Sequence, residues 1–140
     1  MRFAIWMQGA ALLALAASVY AVEPQAVPAA IEEVAGVNPL PTAFTAAKRS
    51  EPLELKDAEA AAVYFDAEAL AKLVSHVDFS KQVVLVFAWR GSGQDKLTFA
   101  VAEAKPEQIR FTILPGRTRD LRQHTKVFVL RSDVVWKVGG

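Results

Sequence analysis

The most informative stretch of this chain is a continuous apolar run, VVLVFAW at residues 83–89. It is rich in β-branched and aromatic residues and too short for a typical helix, so it predicts a strand buried on both faces. Residues 96–101 and 109–113 alternate apolar with polar side chains and predict half-buried strands. A fourth strand is predicted at 126–131 and a fifth at 134–138, joined by a two-residue polar link as in a hairpin.

Two short helices are predicted ahead of these strands. Asp57 precedes the alanine-rich residues 58–62, and Asp66 precedes residues 67–77, where Leu70, Leu73, Val74 and Val77 form one apolar stripe. Helices followed by strands with short links are typical of an α+β fold. The sequence therefore predicts one or two short N-terminal helices packed on an antiparallel sheet of about five strands.

Length and composition limit the possible classes of protein. The 140 residues allow one modest domain, and a hydrophobic fraction of 53% excludes a wholly disordered chain. A net charge of +1 provides no bulk attraction to nucleic acid or to an anionic membrane. Because there is no cysteine, disulfides, iron–sulfur clusters, thiolate zinc sites, a cysteine nucleophile and a lipid-modified cysteine are all excluded.

Residues 1–21, MRFAIWMQGAALLALAASVYA, have the pattern of a secretory signal peptide. A short basic start precedes an alanine and leucine run, which is shorter than the roughly 20 residues that a membrane-spanning helix needs. Cleavage after Ala21 would leave a periplasmic or secreted protein with no stable membrane span. We expect mass spectrometry of the exported protein to find Val22 at its N-terminus, and an intact Met1 would contradict this prediction.

The next segment, residues 22–52, is predicted to be a disordered linker rich in proline and alanine. It contains five of the seven prolines and no sustained helical or strand period. A single α+β domain is then predicted over residues 53–140. Charge is unevenly distributed, because residues 108–140 carry seven basic and two acidic side chains, whereas residues 22–80 carry ten acidic and four basic ones. This indicates either an anionic partner or neutralisation within the chain.

Candidate binding residues cluster in two polar links between strands, RGSGQD at 90–95 and PGRTRDLRQHT at 115–125. Long polar loops on a rigid sheet are frequent binding sites, and guanidinium groups suit carboxylates or phosphates. The alternative is internal, with Asp95 and Asp120 pairing with the arginines to hold the two links together. The candidate ligand-binding or anion-binding residues are Trp89, Arg90, Ser92, Gln94, Asp95, Arg117, Arg119, Asp120, Arg122 and His124.

Catalysis and metal binding have weaker signals. Ser92, His124 and an aspartate provide the residue types of a hydrolase triad, but Gly91-Ser92-Gly93 lacks the spacing of a nucleophile elbow. The two histidines, His76 and His124, have no metal-ligand spacing, so neither a metal nor another cofactor is predicted. Nucleic acid is not an expected partner, because the basic third lacks interleaved exposed aromatic residues.

The blocks VDFSKQVVLVFAWRGSGQDKL, GRTRDLRQH and VFVLRSDVVWKV resemble a group of small exported bacterial proteins of unknown function. The portion DFSKQVVLVFA is also similar to the opening of the PrcB-type C-terminal domain, which is associated with stabilising a protease complex. That family tends to carry Gly-Gly-Tyr after its first strand, where this chain has Gly93-Gln94-Asp95. Neither resemblance implies catalytic residues.

The sequence thus predicts an exported, non-enzymatic binding or protein-interaction module that uses the 90–95 and 116–124 loops. Its expected partner is an envelope protein or an anionic ligand. The alternative function is a small envelope hydrolase that uses Ser92 or His124.

Overall fold

The structure is a computed structural model that describes residues 27–139. The predicted signal peptide and residues 22–26 lie outside the described residues. Over residues 27–139 the chain has an α+β fold with three short helices and seven strands. The elements in chain order are β1 (Ile31–Glu33), α1 (Ala43–Ala46), β2 (Leu53–Leu55), α2 (Ala58–Ala62), α3 (Ala67–Val74), β3 (Gln82–Gly91), β4 (Lys96–Ala102), β5 (Gln108–Leu114), β6 (Arg122–Arg131) and β7 (Val135–Gly139).

The strands form two sheets rather than the predicted single sheet. One sheet has four antiparallel strands in the order β1-β6-β3-β2, and the other has three strands in the order β4-β5-β7. Strand β7 pairs with β5 in parallel, so β6 and β7 do not form the predicted hairpin. Alternation of apolar residues identified β4 and β5 correctly, but it contains no information on which sheet a strand joins.

Strand β3 confirms the prediction of a strand buried on both faces, since residues 84–89 are all buried. Val84 and Val86 pack with helix residues such as Leu73 on one face of the four-stranded sheet. Leu85 and Phe87 pack on the other face against the three-stranded sheet. The four-stranded sheet is therefore the middle layer, with helices on one side and the second sheet on the other.

Both helix starts are confirmed. The Asp57 carboxylate accepts a hydrogen bond from the Ala60 amide at 2.7 Å, and Asp66 does the same for Ala69 at 2.8 Å. Helix α3 ends at Val74, three residues before the predicted end. No helix within residues 27–139 is long and apolar enough to cross a membrane.

The predicted linker is wrong for residues 27–52, and so is a domain boundary at residue 53. Residues 31–33 form β1, which pairs with β6, and Val34, Val37, Ala43 and Ala47 are buried. Prolines break helices and central strands, but they are compatible with an edge strand and its connecting loops. Residues 27–52 are therefore part of the folded domain.

Candidate functional site

The two polar links lie together at one end of the middle sheet. Strands β3 and β6 are antiparallel and paired as far as Gly91 and Arg122, so the loop after β3 and the loop before β6 leave from the same end. The second loop is shorter than predicted, because residues 122–125 extend β6 instead of belonging to the link. We call residues 92–95 and 115–121 together the loop pair.

Ser92 connects the two loops through its hydroxyl group. Its Oγ accepts hydrogen bonds from the amides of Thr118 at 3.1 Å and Gln94 at 3.2 Å, and it lies 2.5 Å from the Thr118 hydroxyl. The hydroxyl of Ser92 is therefore fully used within the loop pair. Gln94 itself is exposed.

Asp95 is the only buried charged residue among those that the structure describes. One carboxylate oxygen accepts from the Gly116 amide at 2.7 Å, and the other accepts from Trp89 Nε1 at 3.1 Å and Arg49 Nη2 at 2.5 Å. The Gly116 amide, Trp89 and Arg49 hold the pKa of Asp95 below its usual value and outweigh the opposing effect of burial. The carboxylate thus anchors both loops to the sheet.

Asp120 makes the reciprocal connection from the second loop to the first. Its carboxylate accepts from the Gly93 amide at 3.1 Å and from Arg122 Nε at 3.0 Å. The predicted contact between the loops is therefore confirmed, and so is the pairing of Asp120 with Arg122. The predicted partner of Asp95 is wrong, because Asp95 pairs with Arg49 and with none of the arginines of the two links.

Trp89 and His124 occupy paired positions on β3 and β6, and their rings stack with centroids 4.9 Å apart. Trp89 is buried and is part of the sheet core, so its ring is not an exposed platform for a ligand. His124 Nε2 donates to the backbone carbonyl of Ser92 at 2.7 Å rather than contacting its hydroxyl. The catalytic arrangement that a triad needs is not assembled at this end of the sheet.

Metal ligands are not gathered at this site either. Within residues 27–139 no three His, Asp or Glu side chains lie close enough together to hold a metal ion. His76 is exposed just after α3, and His124 is stacked on Trp89.

Two of the predicted arginines remain on the outside of the loop pair. Arg117 and Arg119 are exposed, and neither forms an ion pair within the described part of the chain. Leu121, next to them on the same loop, is 73% exposed. Arg90, at the end of β3, is also exposed, and its guanidinium lies 5.2 Å from the centre of the Phe44 ring. The loop pair therefore has an inner side where hydrogen bonds join the two loops, and an outer side that carries Arg117, Arg119 and the apolar side chain of Leu121.

Acid is expected to loosen the loop pair. The Thr118 hydroxyl, followed by the Gly93 amide, lowers the pKa of Asp120 from 3.8 to about 2. A carboxylate with a lowered pKa stabilises the folded state above its ordinary pKa, and this stability is lost as the pH falls towards 2. We expect hydrogen exchange at the Gly93 amide to accelerate over that range, relative to its intrinsic rate.

The Asp120→Asn variant should show faster exchange at Gly93 than the parent protein already at neutral pH, because a neutral amide oxygen is a weaker acceptor than a carboxylate, with little further change on acidification. Asp78 is a suitable control because Ser80 lowers the pKa of Asp78 as well, but away from the loops. Asp78→Asn should leave the exchange of Gly93 as in the parent protein. Equal protection of Gly93 at neutral pH in the parent and in Asp120→Asn would contradict the prediction.

Two contributors to this site were not predicted from sequence. Arg49 and Phe44 both lie in the segment interpreted as a linker, and they contact Asp95 and Arg90 respectively. The only feature of the sequence that could have indicated their role is a basic side chain and an aromatic ring among prolines and alanines. The chain has to fold before these residues approach the loops.

Comparison of the chain with protein-family models, with curated proteins and with solved structures finds no match. The resemblances to small exported bacterial proteins and to the PrcB-type domain stay predictions.

Proposed function

We propose that this protein is an exported, non-enzymatic binding module that attaches to an acidic protein partner through the outer side of the loop pair. Export is supported by the signal-peptide pattern of residues 1–21. The observation that carries the proposal is that Arg117 and Arg119 are exposed and form no ion pair within residues 27–139, on a loop that hydrogen bonds hold in place.

The inner hydrogen bonds make this surface suitable for binding. Asp95, Asp120 and Ser92 hold the second loop in place, so less conformational entropy is lost when a partner binds it. Arginine is enriched at protein interfaces and forms forked hydrogen bonds to carboxylates. Leu121, exposed beside the two arginines, adds an apolar contact that a protein partner can cover.

The hydrolase alternative gains no support from this geometry. Ser92 Oγ contacts Thr118 and Gln94, and His124 Nε2 is occupied by a backbone carbonyl. A nucleophile needs a base within hydrogen-bond reach, and Ser92 has none in this arrangement.

The test uses a photo-reactive amino acid at position 121, introduced in the bacterium that exports the protein. We expect a covalent product with one envelope protein, whose affinity is then measured with both proteins purified. Arg117→Ala combined with Arg119→Ala should keep a native melting temperature and weaken that affinity by roughly tenfold or more, because charge-assisted contacts are lost. Added salt should weaken the complex of the parent protein as well.

The matched control is Lys56→Ala combined with Lys105→Ala, which removes the same charge. Lys56 follows β2 and Lys105 follows β4, so both lie away from the loop pair. This control should bind as the parent does. If both double variants weaken binding equally, only net charge matters and the proposed surface is wrong. Unchanged binding by the arginine double variant would be equally decisive against it.

A further inference from the structure

A second group of cations lies on the outer face of the three-stranded sheet, away from the loop pair. Arg110 on β5 and Lys137 on β7 occupy directly paired positions, and both are exposed. Their neighbours Phe111, Trp136 and Val138 pack in the core between the sheets, so alternation along each strand places Arg110 and Lys137 on the outer face. Two like charges at paired positions of a sheet repel each other.

Nothing in the described structure neutralises these two charges. Within residues 27–139 neither Arg110 nor Lys137 forms an ion pair, whereas Arg122, Lys126 and Arg131 in the same part of the sequence all do. The repulsion between the two cations is a cost to the folded protein that an anion bound between them would relieve.

The same positions line a groove of about 550 Å³. That volume lies within the range of sites for small organic ligands. The pairing of the strands places Ala100 opposite Arg110, and Ala102 opposite Gln108, which in turn pairs with Val135. On this face β4 contributes the methyl groups of Ala100 and Ala102, the central strand β5 contributes Arg110 and Gln108, and β7 contributes Lys137 and Val135. Val101 and Ile109 complete the lining of the groove.

We propose that this groove binds a small amphiphilic anion, with an oxyanion head group between Arg110 and Lys137 and a short apolar part over Ala100, Ala102 and Val135. The guanidinium fork of arginine matches a carboxylate or a phosphate, and the ammonium of lysine adds a second point charge. The apolar part removes the exposed methyl groups from water. This site is independent of the loop pair and of the partner proposed for it.

The experiment is a titration followed by the backbone amide signals of the full chain in nuclear magnetic resonance. Four probes separate the head group from the apolar part: hexyl phosphate, hexanoate, inorganic phosphate and hexanol. We expect saturable shifts at residues 100–102, 108–110 and 135–137 with hexyl phosphate, hexanoate or both, and the stronger of the two identifies the head group. Inorganic phosphate and hexanol should bind roughly tenfold more weakly or worse, since each supplies only half of the contacts.

Three variants test the residues. Arg110→Gln and Lys137→Gln should each weaken binding of the amphiphile by roughly tenfold, since each loses a charge-assisted contact. Ala100→Leu should also weaken it by filling the groove without a change of charge. Lys96→Gln is the matched control, because Lys96 is an exposed cation on the same sheet outside the groove, and it should bind as the parent does.

Four results would overturn the proposal. The first two concern the titrations: neither amphiphile causes saturable shifts at millimolar concentration, or the shifts are confined to residues 115–121. The third is equal affinity for inorganic phosphate and hexyl phosphate. The fourth is a loss of binding in Lys96→Gln as large as that in Arg110→Gln. The melting temperature of each variant shows that it is folded before its affinity is compared.

Discussion

Asp95→Ala is expected to destabilise the domain by about 2–4 kcal/mol, with a fall in melting temperature of roughly 10 °C or more. The Asp95 side chain is only 1% exposed and accepts hydrogen bonds from the Gly116 amide, from Trp89 and from Arg49. Removing the carboxylate leaves the buried indole N–H of Trp89 without its acceptor and frees the second loop from the first. Thermal unfolding followed by circular dichroism at neutral pH measures the loss.

Two milder variants show where this stability comes from. Asp95→Asn keeps one acceptor oxygen and should lose less stability than Asp95→Ala. Arg49→Gln removes the ion pair alone. Because the Arg49 side chain is 47% exposed, water screens this ion pair, and its contribution to the free energy of unfolding is small. We therefore expect the smallest loss for Arg49→Gln. A loss in Arg49→Gln as large as that in Asp95→Ala would show that the ion pair stabilises the domain more than the amide and indole hydrogen bonds do.

Gly116→Ala is expected to disrupt the loop pair by steric overlap. A Cβ atom on residue 116 would lie 2.5 Å from the Cβ of Gln94 and 2.6 Å from its backbone carbonyl carbon. Backbone atoms cannot rotate away as the end of a flexible side chain can, so the two loops must separate. Overpacking of this kind costs about 1–3 kcal/mol, and we expect the upper end because the Gly116 to Asp95 hydrogen bond is stretched at the same time.

Gly139→Ala is the control for this substitution. The nearest atom to a Cβ on residue 139 is Arg110 Nη1 at 3.7 Å, which is an ordinary contact, so the stability should change by less than about 0.5 kcal/mol. Denaturant unfolding of both variants measures the two free energies of unfolding. Similar values for Gly116→Ala and Gly139→Ala would show that the loops are not in close contact.

Local patterns predicted the elements of this fold well. The caps Asp57 and Asp66 and the buried run 83–89 are features that a few neighbouring residues determine by themselves. The apolar stripe of α3 is confirmed in part, since Leu73 is fully buried while Val74 at the helix end is 37% exposed. Such patterns depend on burial of one face and need no knowledge of the rest of the chain.

Most features set by tertiary contacts were not predicted. The parallel pairing of β5 with β7 depends on which sheet has a free edge, and nothing within residues 135–139 encodes that. The candidate site shows the same contrast between features that could be predicted from the sequence and features that depend on distant residues. Contact between the loops followed from their charges and from the predicted strands, whereas the partnership of Asp95 with Arg49 joins residues 46 positions apart.

The pairing of β1 with β6 has a consequence for the order of folding. Ile31 lies opposite Leu130, and Lys126 reaches back to Glu33 at 3.0 Å. The middle sheet therefore cannot be completed until residues 122–131 have been synthesised, and contacts between such distant residues slow folding because a long loop has to close first. A chain of this topology stays incompletely folded while it is being synthesised. That delay is compatible with the export proposed above, in which the chain would cross a membrane in an extended state before β6 meets β1.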